Sequence, residues 1–268
     1  MPNATQSFIE TLRNQSEVPH VLHLACPNKT IAWHSTNEML ENGFRMFARM
    51  NPSWQVRVYD DEDINNFVTS SSLIDARDKA LLNDRKKVPY IEVVDLWRLM
   101  VMYEQGGLYM DMDRLYNIPI ERILTPATRM ILPICLGRDF CQDLMAGSPG
   151  NPVFLRAIQL NVERRRTLTG SRRHRNEDIL WLGPATYLHA TEVIFGERPM
   201  PDLRGPSYYA SAATAKPFFD QAMQLRPLVA TFYEKSCSNT LIYKGQQCFT
   251  KGKATYYRHL GIPHAWGR

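Results

Sequence analysis

Residues 106–115 read GGLYMDMDRL, so two glycines lead into an apolar run that carries aspartates at alternate positions. In a β-strand, successive side chains point to opposite faces of the sheet. The spacing therefore predicts a strand over 108–113 in which Asp111 and Asp113 share one face with Tyr109, while the leucine and the methionines face the core. The carboxyl end of a strand in an open parallel sheet is where ligands bind. We expect the two carboxylates to face such a crevice.

The segment before this strand is predicted to be a buried helix. Residues 88–107 read VPYIEVVDLWRLMVMYEQGG, with Pro89 placed for a first helical turn and the final glycines placed to end the helix. The helix is apolar on all sides, which is typical of burial. Only Asp95 and Arg98 interrupt the apolar stretch, and because they are three residues apart they share a face. Burying charges is costly, which favours a face that lines a polar site, and a satisfied structural salt bridge is the alternative.

The rest of the chain alternates between strand and helix patterns. Strands are predicted within 18–27, at the start of 54–67 and over 129–135, and helices over 36–52, 151–166 and 183–196. This order is typical of an α/β fold with a mostly parallel central sheet flanked by helices. A length of 268 residues suits one domain spanning residues 1–268.

Composition restricts the class of partner and the compartment. The net charge of +5 is too small to indicate a nucleic-acid-binding protein, although it is compatible with nucleotide diphosphates. No apolar run reaches the length of a membrane span, so we expect no integral membrane segment. Five cysteines without close spacing favour a reducing compartment. We therefore expect a soluble cytoplasmic protein, with a soluble lumenal domain of a secretory-pathway enzyme as the alternative.

A pair of aspartates separated by one residue is a weak signal until its context is considered. Neither the further ligands of a calcium loop nor additional acidic strand ends of a polymerase site follow Asp111 and Asp113. A hard divalent cation, Mn²⁺ or Mg²⁺, with phosphate oxygens in its shell fits the pair best. A metal-dependent phosphoryl hydrolase using the same aspartates remains an alternative. A second alternative is a non-enzymatic polyanion-binding module that uses the arginines of 164–175.

The spacing of Asp95, Arg98, Tyr109, Asp111 and Asp113 resembles the sugar-binding D-x-D region of retaining GT-A glycosyltransferases. The most similar group comprises the yeast initiating α-mannosyltransferases and capsular polysaccharide synthesis proteins, and the large clostridial toxin glucosyltransferases are more distantly similar. The likeness continues through stretches 18–27, 51–64, 141–158, 182–188 and 256–266.

The resemblance implies a role for each residue of the constellation. Asp113 would bind the metal directly, and Asp111 would lie between the metal and the donor's ribose or sugar hydroxyls, so both are expected to be catalytic. Asp95 and Arg98 would hold the transferred sugar, with Asp95 kept ionised by Arg98. Tyr109 would line the donor pocket.

The C-terminal stretch contributes the remaining implied ligands. His259 would be a metal ligand, and Trp266 would donate its indole N–H towards the diphosphate. His264 competes with His259 for this role, because one extra residue separates His259 from the tryptophan.

Four residues depart from the family pattern. Cys26 stands where a tryptophan near the nucleotide base is common, Leu182 replaces a threonine, Ala265 replaces a serine, and Asp143 replaces an asparagine. Asp143 is a candidate catalytic residue on the acceptor side or the back face of the sugar. A front-face path assisted by the leaving phosphate is the expected mechanism.

The function implied by the resemblance is metal-dependent retaining glycosyl transfer. A hexose-like sugar would move from a UDP-sugar or GDP-sugar donor to a hydroxyl of a glycan or protein acceptor. The departure of a nucleoside diphosphate develops negative charge, which a fixed divalent cation stabilises.

Overall fold

The computed structural model describes residues 4–34, 40–84, 88–112, 114–116, 118–135, 139–140, 142–168, 182–195, 228–235, 240–243 and 246–251. Within these ranges, ten strands form one sheet. They are β1 Val21–Ala25, β2 Gln55–Tyr59, β3 Gly107–Met110, β4 Arg114–Tyr116, β5 Met130–Cys135, β6 Asp139–Phe140, β7 Leu144–Gly147, β8 Val229–Lys235, β9 Thr240–Tyr243 and β10 Gln246–Lys251. Their order is β2-β1-β3-β7-β5-β8-β9-β10-β4, and β6 pairs with β5.

The sheet is mixed, whereas the sequence predicts a mostly parallel one. Strand β1 pairs in parallel with β2 and with β3, and β5 pairs in parallel with β8. Strand β7 lies antiparallel between β3 and β5, and β8, β9, β10 and β4 follow one another in antiparallel pairs. The chain from β5 to β7 is too short for the crossover that parallel strands require. The predicted α/β class with a central sheet and flanking helices is confirmed.

The α-helices of the described residues include those predicted around 36–52, 88–107, 151–166 and 183–196, with shifted ends, together with further helices. They are α1 Ala4–Asn14, α2 Lys29–His34, α3 Met46–Met50, α4 Asp61–Ser70, α5 Ala76–Asn83, α6 Tyr90–Glu104, α7 Pro152–Leu168 and α8 Pro184–Phe195. Asp60 caps α4 by accepting from the Asp63 N–H while the Asp63 side chain accepts from the Asp60 N–H, a capping box. Asn151 caps α7, as predicted, because its side-chain oxygen accepts from the Val153 N–H at 3.0 Å.

Two apolar cores lie on the opposite faces of the sheet. Leu108 and Met110 of β3 belong to one core together with Leu144 of β7. Tyr109 and Met145, which alternate with them, belong to the other core. Helix α6 packs in this second core, where Val93 to Met102 are all buried. The predicted alternation along β3 is therefore confirmed for residues 108–110, although both of its faces are covered.

The turn between α6 and β3 depends on Gly106. Its φ of +65° lies in the left-handed region that favours glycine, as the sequence predicts for the end of this helix. A Cβ atom at this position would lie 2.7 Å from the Pro149 ring and 2.8 Å from the Gly147 carbonyl oxygen. Close packing against β7 therefore adds a second reason for glycine, which the sequence pattern does not indicate.

The helix predicted over 36–52 is interrupted. Residues 35–39 lie outside the described ranges, a π-helical turn runs over Glu41–Arg45, and α3 follows it. The interruption falls at Gly43, whose φ and ψ of −94° and −118° are not helical. A Cβ at Gly43 would lie only 2.8 Å from the carbonyl oxygen of Arg114. The bend therefore brings this segment against the chain that follows β3.

His23 of β1 makes one buried hydrogen bond to the turn at Gly106 and one partly buried hydrogen bond to Tyr59 of β2. Its Nε2–H donates to the Gly106 carbonyl at 2.9 Å, and its Nδ1 accepts from the Tyr59 hydroxyl at 3.1 Å. Burial lowers the pKa of His23 to about 4, and the Gly106 hydrogen bond opposes this only in part. The folded protein therefore holds a neutral imidazole at this position.

We expect His23 to make the protein less stable in acid. The pKa of His23 in the folded protein lies below the ordinary value of 6.5, so the unfolded chain binds the proton first as the pH falls. The stability that neutral His23 provides above pH 6.5 is therefore lost as the pH falls towards 4. Between pH 7 and pH 5 this loss is about 2 kcal/mol. Urea unfolding at both pH values should show a pH dependence smaller by this amount in His23→Gln. His34→Gln, at an exposed position, should behave like the wild type, and an unchanged pH dependence in His23→Gln would contradict the account.

Candidate functional site

The aspartate pair begins where β3 ends. Strand β3 stops at Met110, so the strand predicted over 108–113 is shorter than expected and Asp111 lies in the turn that follows it. The Asp111 N–H donates to the Asp143 carbonyl at 2.8 Å, and the Asp111 carbonyl accepts from the Arg114 N–H at 3.0 Å. These bonds fix the backbone on both sides of the Asp111 side chain. Asp113 lies outside the described residues.

Tyr109 and Arg98 hold the carboxylate of Asp111. The Tyr109 hydroxyl donates to Asp111 Oδ1 at 2.6 Å, and Arg98 Nη1 lies 3.7 Å from the same oxygen. The Arg98 guanidinium also lies over the Tyr109 ring, 4.9 Å from its centroid, in a cation–π contact. The Asp111 side chain is 17% exposed, whereas the Arg98 side chain is only 5% exposed. A partly accessible carboxylate is therefore oriented by buried partners.

Asp95 and Arg98 form the buried ion pair that their spacing predicts. Asp95 Oδ1 lies 2.8 Å from Arg98 Nη2. Burial raises the pKa of Asp95 to about 6, Arg98 counteracts this in part, and Asp111 adds to the rise. At neutral pH most molecules therefore carry Asp95 ionised, as expected, but mildly acidic solution protonates it.

Arg98 remains charged although it is buried. Burial alone would lower its pKa, but Tyr109, Asp95 and Asp111 together act more strongly and raise it. Its Nη1 also donates to the carbonyl of Gln142 at 3.0 Å. Arg98 therefore connects α6 both to the turn after β3 and to the residues that precede β7.

Asp143 is engaged by a second arginine. Its Oδ2 forms an ion pair with Arg114 Nη2, and Arg114 is fully buried at the start of β4. Asp143 is among the residues predicted from the sequence, whereas Arg114 is not. The sequence does hold a signal for Arg114, because this arginine directly follows the aspartate pair and precedes the apolar Leu115 and Tyr116. A charged side chain is unexpected on a buried strand. The structure thus brings Asp95, Asp111 and Asp143 together around two buried arginines.

A further buried pair continues the polar face of α6. Glu92, three residues before Asp95, forms an ion pair with Arg165 of α7. Asn161 Oδ1 also accepts from Arg165, at 3.2 Å. Sequence reasoning does not find this pair, because its partners are 73 residues apart. It ties α7 to the helix that carries the site.

The first arginines of the 164–175 stretch belong to α7. Arg164 donates to Thr186 at 3.0 Å and also contacts His189, while Arg166 forms ion pairs with Asp75 and Asp78. A polyanion-binding surface that uses the arginines of this stretch is the second alternative left open by the sequence. Helix α7 instead extends to Leu168, so three arginines make internal contacts. The remaining arginines of the stretch lie outside the described residues.

Cys26 follows β1 at the edge of the sheet where β3 also ends. Its side chain is buried, and Sγ–H donates to the Asn28 carbonyl at 3.2 Å. Burial raises the pKa of the thiol. Farther along, Trp33 on α2 is 43% exposed and makes an edge-on contact with Phe44, with ring centroids 5.2 Å apart. The indole ring of Trp33, seven residues after the buried Cys26, is therefore accessible to solvent.

Several predicted ligands fall outside the described residues. They are Asp113, His259, His264 and Trp266. Ala265, which departs from the family pattern, lies outside the described residues as well. Among the residues that are described, no group of three or more histidine, cysteine, aspartate or glutamate side chains is arranged to hold a metal ion. The same part of the chain contains no helix with the length and apolar character needed to cross a bilayer.

Comparison with known proteins supports the resemblance drawn from the sequence. Residues 37–129 match the family model described as "Glycosyltransferase sugar-binding region containing DXD motif". This range includes Asp95, Arg98, Tyr109, Asp111 and Asp113. The chain is also 27% identical over 169 residues to inositol phosphoceramide mannosyltransferase 1 of Schizosaccharomyces pombe, a match that covers 58% of this chain and 49% of that protein. The match therefore spans about half the length of this curated relative.

A solved structure, the PaToxG glycosyltransferase, superposes with a TM-score of 0.43 and 16% identity over 83% of each chain, a likeness too weak to support an argument. The family match and the mannosyltransferase relative support a GT-A-like glycosyltransferase. The resemblance to glycosyltransferases with a DXD motif that the sequence suggests is thus supported, and the mixed α/β sheet is compatible with it.

Tyr109→Phe tests whether the carboxylate of Asp111 has to be oriented. The change removes the hydroxyl that donates to Asp111 but leaves the ring beneath Arg98. We expect a loss of stability of about 1 kcal/mol, and a loss of donor turnover of about tenfold because the carboxylate is released. Urea unfolding and the rate of donor hydrolysis measure the two effects. Tyr103→Phe, which removes the half-buried hydroxyl of a tyrosine on α6, is the control, and equal turnover in the two variants would contradict the role of Tyr109.

Proposed function

We propose that this chain is a metal-dependent retaining glycosyltransferase. It transfers a hexose-like sugar from a UDP-sugar or GDP-sugar donor to a hydroxyl of an acceptor. The proposal rests chiefly on one observation: the buried Asp95–Arg98 pair meets Tyr109 and Asp111 at the carboxyl end of β3, inside the matched DXD region. We further propose that residues 1–268 form a single GT-A domain.

The buried pair is suited to binding a sugar. A carboxylate beside a fixed guanidinium offers acceptors and donors at defined positions, and hydroxyl groups use both. Asp95 would accept hydrogen bonds from sugar hydroxyls, and Arg98 would keep it in place. Because burial removes competing water, these bonds would distinguish sugars by the arrangement of their hydroxyls.

Asp111 fits a divalent cation of the Mn²⁺ or Mg²⁺ type. Its carboxylate is a hard oxygen ligand and partly exposed, and only one of its oxygens, Oδ1, accepts the Tyr109 hydroxyl. We propose Asp111, Asp113 and His259 as the protein ligands, with His264 as the alternative to His259. When bound, such an ion stabilises negative charge on a departing diphosphate. Trp266 would donate its indole N–H to the same diphosphate.

Asp143 is better suited to positioning than to nucleophilic attack. Its carboxylate is held by the buried Arg114, and an ion-paired carboxylate is a weaker base. Its main chain accepts from the Asp111 N–H, so movement of Asp143 would disturb the aspartate pair. We therefore propose a front-face path for retention, with Asp143 next to the acceptor side of the sugar.

The acceptor is proposed to be a glycan or a protein hydroxyl. The name of the yeast relative, inositol phosphoceramide mannosyltransferase 1, adds a mannosyl donor and an inositol-containing acceptor to the substrates that deserve testing. A cytoplasmic enzyme and a lumenal domain are both compatible with these substrates. The products separate transfer from phosphoryl hydrolysis, because transfer releases an intact nucleoside diphosphate and hydrolysis releases phosphate.

A thermal-shift panel of UDP-sugars and GDP-sugars with Mn²⁺ tests the proposal. A ligand that binds only the folded protein raises its melting temperature, so at least one donor should stabilise the wild type in a metal-dependent way. Asp113→Ala should abolish transfer and donor hydrolysis, a loss of at least about a hundredfold, while the melting temperature without ligand stays close to that of the wild type.

Glu62→Gln, which removes a carboxylate from an exposed position on α4, is the matched control and should keep full activity. Full activity of Asp113→Ala, or of the wild type in excess chelator, would refute the metal-dependent mechanism. Release of phosphate in place of nucleoside diphosphate would favour the hydrolase instead.

A further inference from the structure

The side-chain amide of Gln142 is buried and has no hydrogen-bond partner among the described residues. It lies one residue before Asp143 and two residues before the start of β7. The residue is 3% exposed, and within the part of the chain that the structure describes neither its Nε2 nor its Oε1 has a hydrogen-bond partner. Most buried polar side-chain atoms in folded proteins are hydrogen-bonded, so an amide that lacks both bonds calls for an explanation.

The surroundings of Gln142 belong to the proposed sugar site. Its main-chain carbonyl accepts from Arg98 Nη1 at 3.0 Å. Arg98 Nε, in the same guanidinium, is also buried, and no described residue forms a hydrogen bond with it. The main chain of Gln142 thus contacts the guanidinium of Arg98, and both residues carry buried side-chain atoms that lack hydrogen-bond partners among the described residues.

The chemistry of these groups restricts the ligand. A phosphate could accept from the amide N–H₂ and from Arg98 Nε, but it has no donor for the amide oxygen and would approach Asp95 and Asp111. A hydroxyl group both donates and accepts, so two neighbouring hydroxyls supply an acceptor for the amide N–H₂ and a donor for the amide oxygen. The ligand class that matches is therefore a polyol such as the transferred sugar.

We propose that Gln142 binds hydroxyls of the donor's sugar and is a specificity-determining residue of the transferase site. This inference rests on the proposed function, because it assigns a further residue to the same donor. The amide would distinguish sugars that place a hydroxyl pair against it from sugars that lack one, and the unmet bonds would be completed only when the sugar is bound.

Gln142→Leu and Gln142→Met test the assignment, because both fill a similar volume without polar atoms. The measurement compares, for each protein, the melting temperature and the dissociation constant with a nucleotide sugar and with the free nucleoside diphosphate. Removing an unsatisfied amide should leave the unliganded melting temperature unchanged or higher. The affinity for the nucleotide sugar should fall about tenfold, while affinity for the diphosphate stays within about twofold. Gln159→Leu, an exposed glutamine of α7, is the matched control and should change neither affinity.

Three outcomes overturn the assignment. An unchanged affinity of both variants for the nucleotide sugar shows that Gln142 does not contact the sugar, and the proposed function then stands alone. A lower melting temperature of both unliganded variants shows that the amide is needed for folding itself. A wild-type protein that binds no nucleotide sugar at all refutes the proposed function and this inference together.

Discussion

The buried guanidinium of Arg98 is the group on which the site depends. An isolated charge in the core would be very unfavourable, so Arg98 is stable there only because carboxylates and a carbonyl surround it. Its partners come from three parts of the chain: Asp95 on its own helix, Asp111 after β3, and the carbonyl of Gln142 before β7. The requirement to satisfy one charge therefore brings together the elements that form the site.

Packing around Arg98 makes this arrangement specific. Tyr109 supports the guanidinium with its ring and holds Asp111 with its hydroxyl, so one side chain serves both partners. The Glu92–Arg165 pair secures α6 against α7, and the Arg114–Asp143 pair secures the turn after β3 against β7. The close approach of Gly43 to the Arg114 carbonyl covers this turn from another direction. These buried ion pairs and the close approach at Gly43 thus restrict the site to one geometry.

Local patterns predict the parts of this assembly that depend on neighbours in sequence. The buried character of α6, the shared face of Asp95 and Arg98, the left-handed Gly106 and the cap at Asn151 all follow from spacing and turn chemistry. The mixed sheet and the partners of Arg114 and Arg165 depend on contacts between distant segments, which a single sequence does not indicate. Local rules also place the aspartate pair inside a strand, whereas the ladder ends at Met110 and the Arg114 N–H closes a turn onto Asp111.

The central claim is that the Asp95–Arg98 pair exists for ligand binding and not for stability, and a pair of variants tests it directly. Arg98→Met alone leaves Asp95 buried without its partner and should lower the free energy of unfolding by about 3–5 kcal/mol. The double variant Asp95→Leu with Arg98→Met removes both charges, so it should recover most of that stability in urea unfolding and yet show no melting-temperature shift with any nucleotide sugar. A double variant that is stable and still stabilised by the donor as strongly as the wild type would contradict the claim.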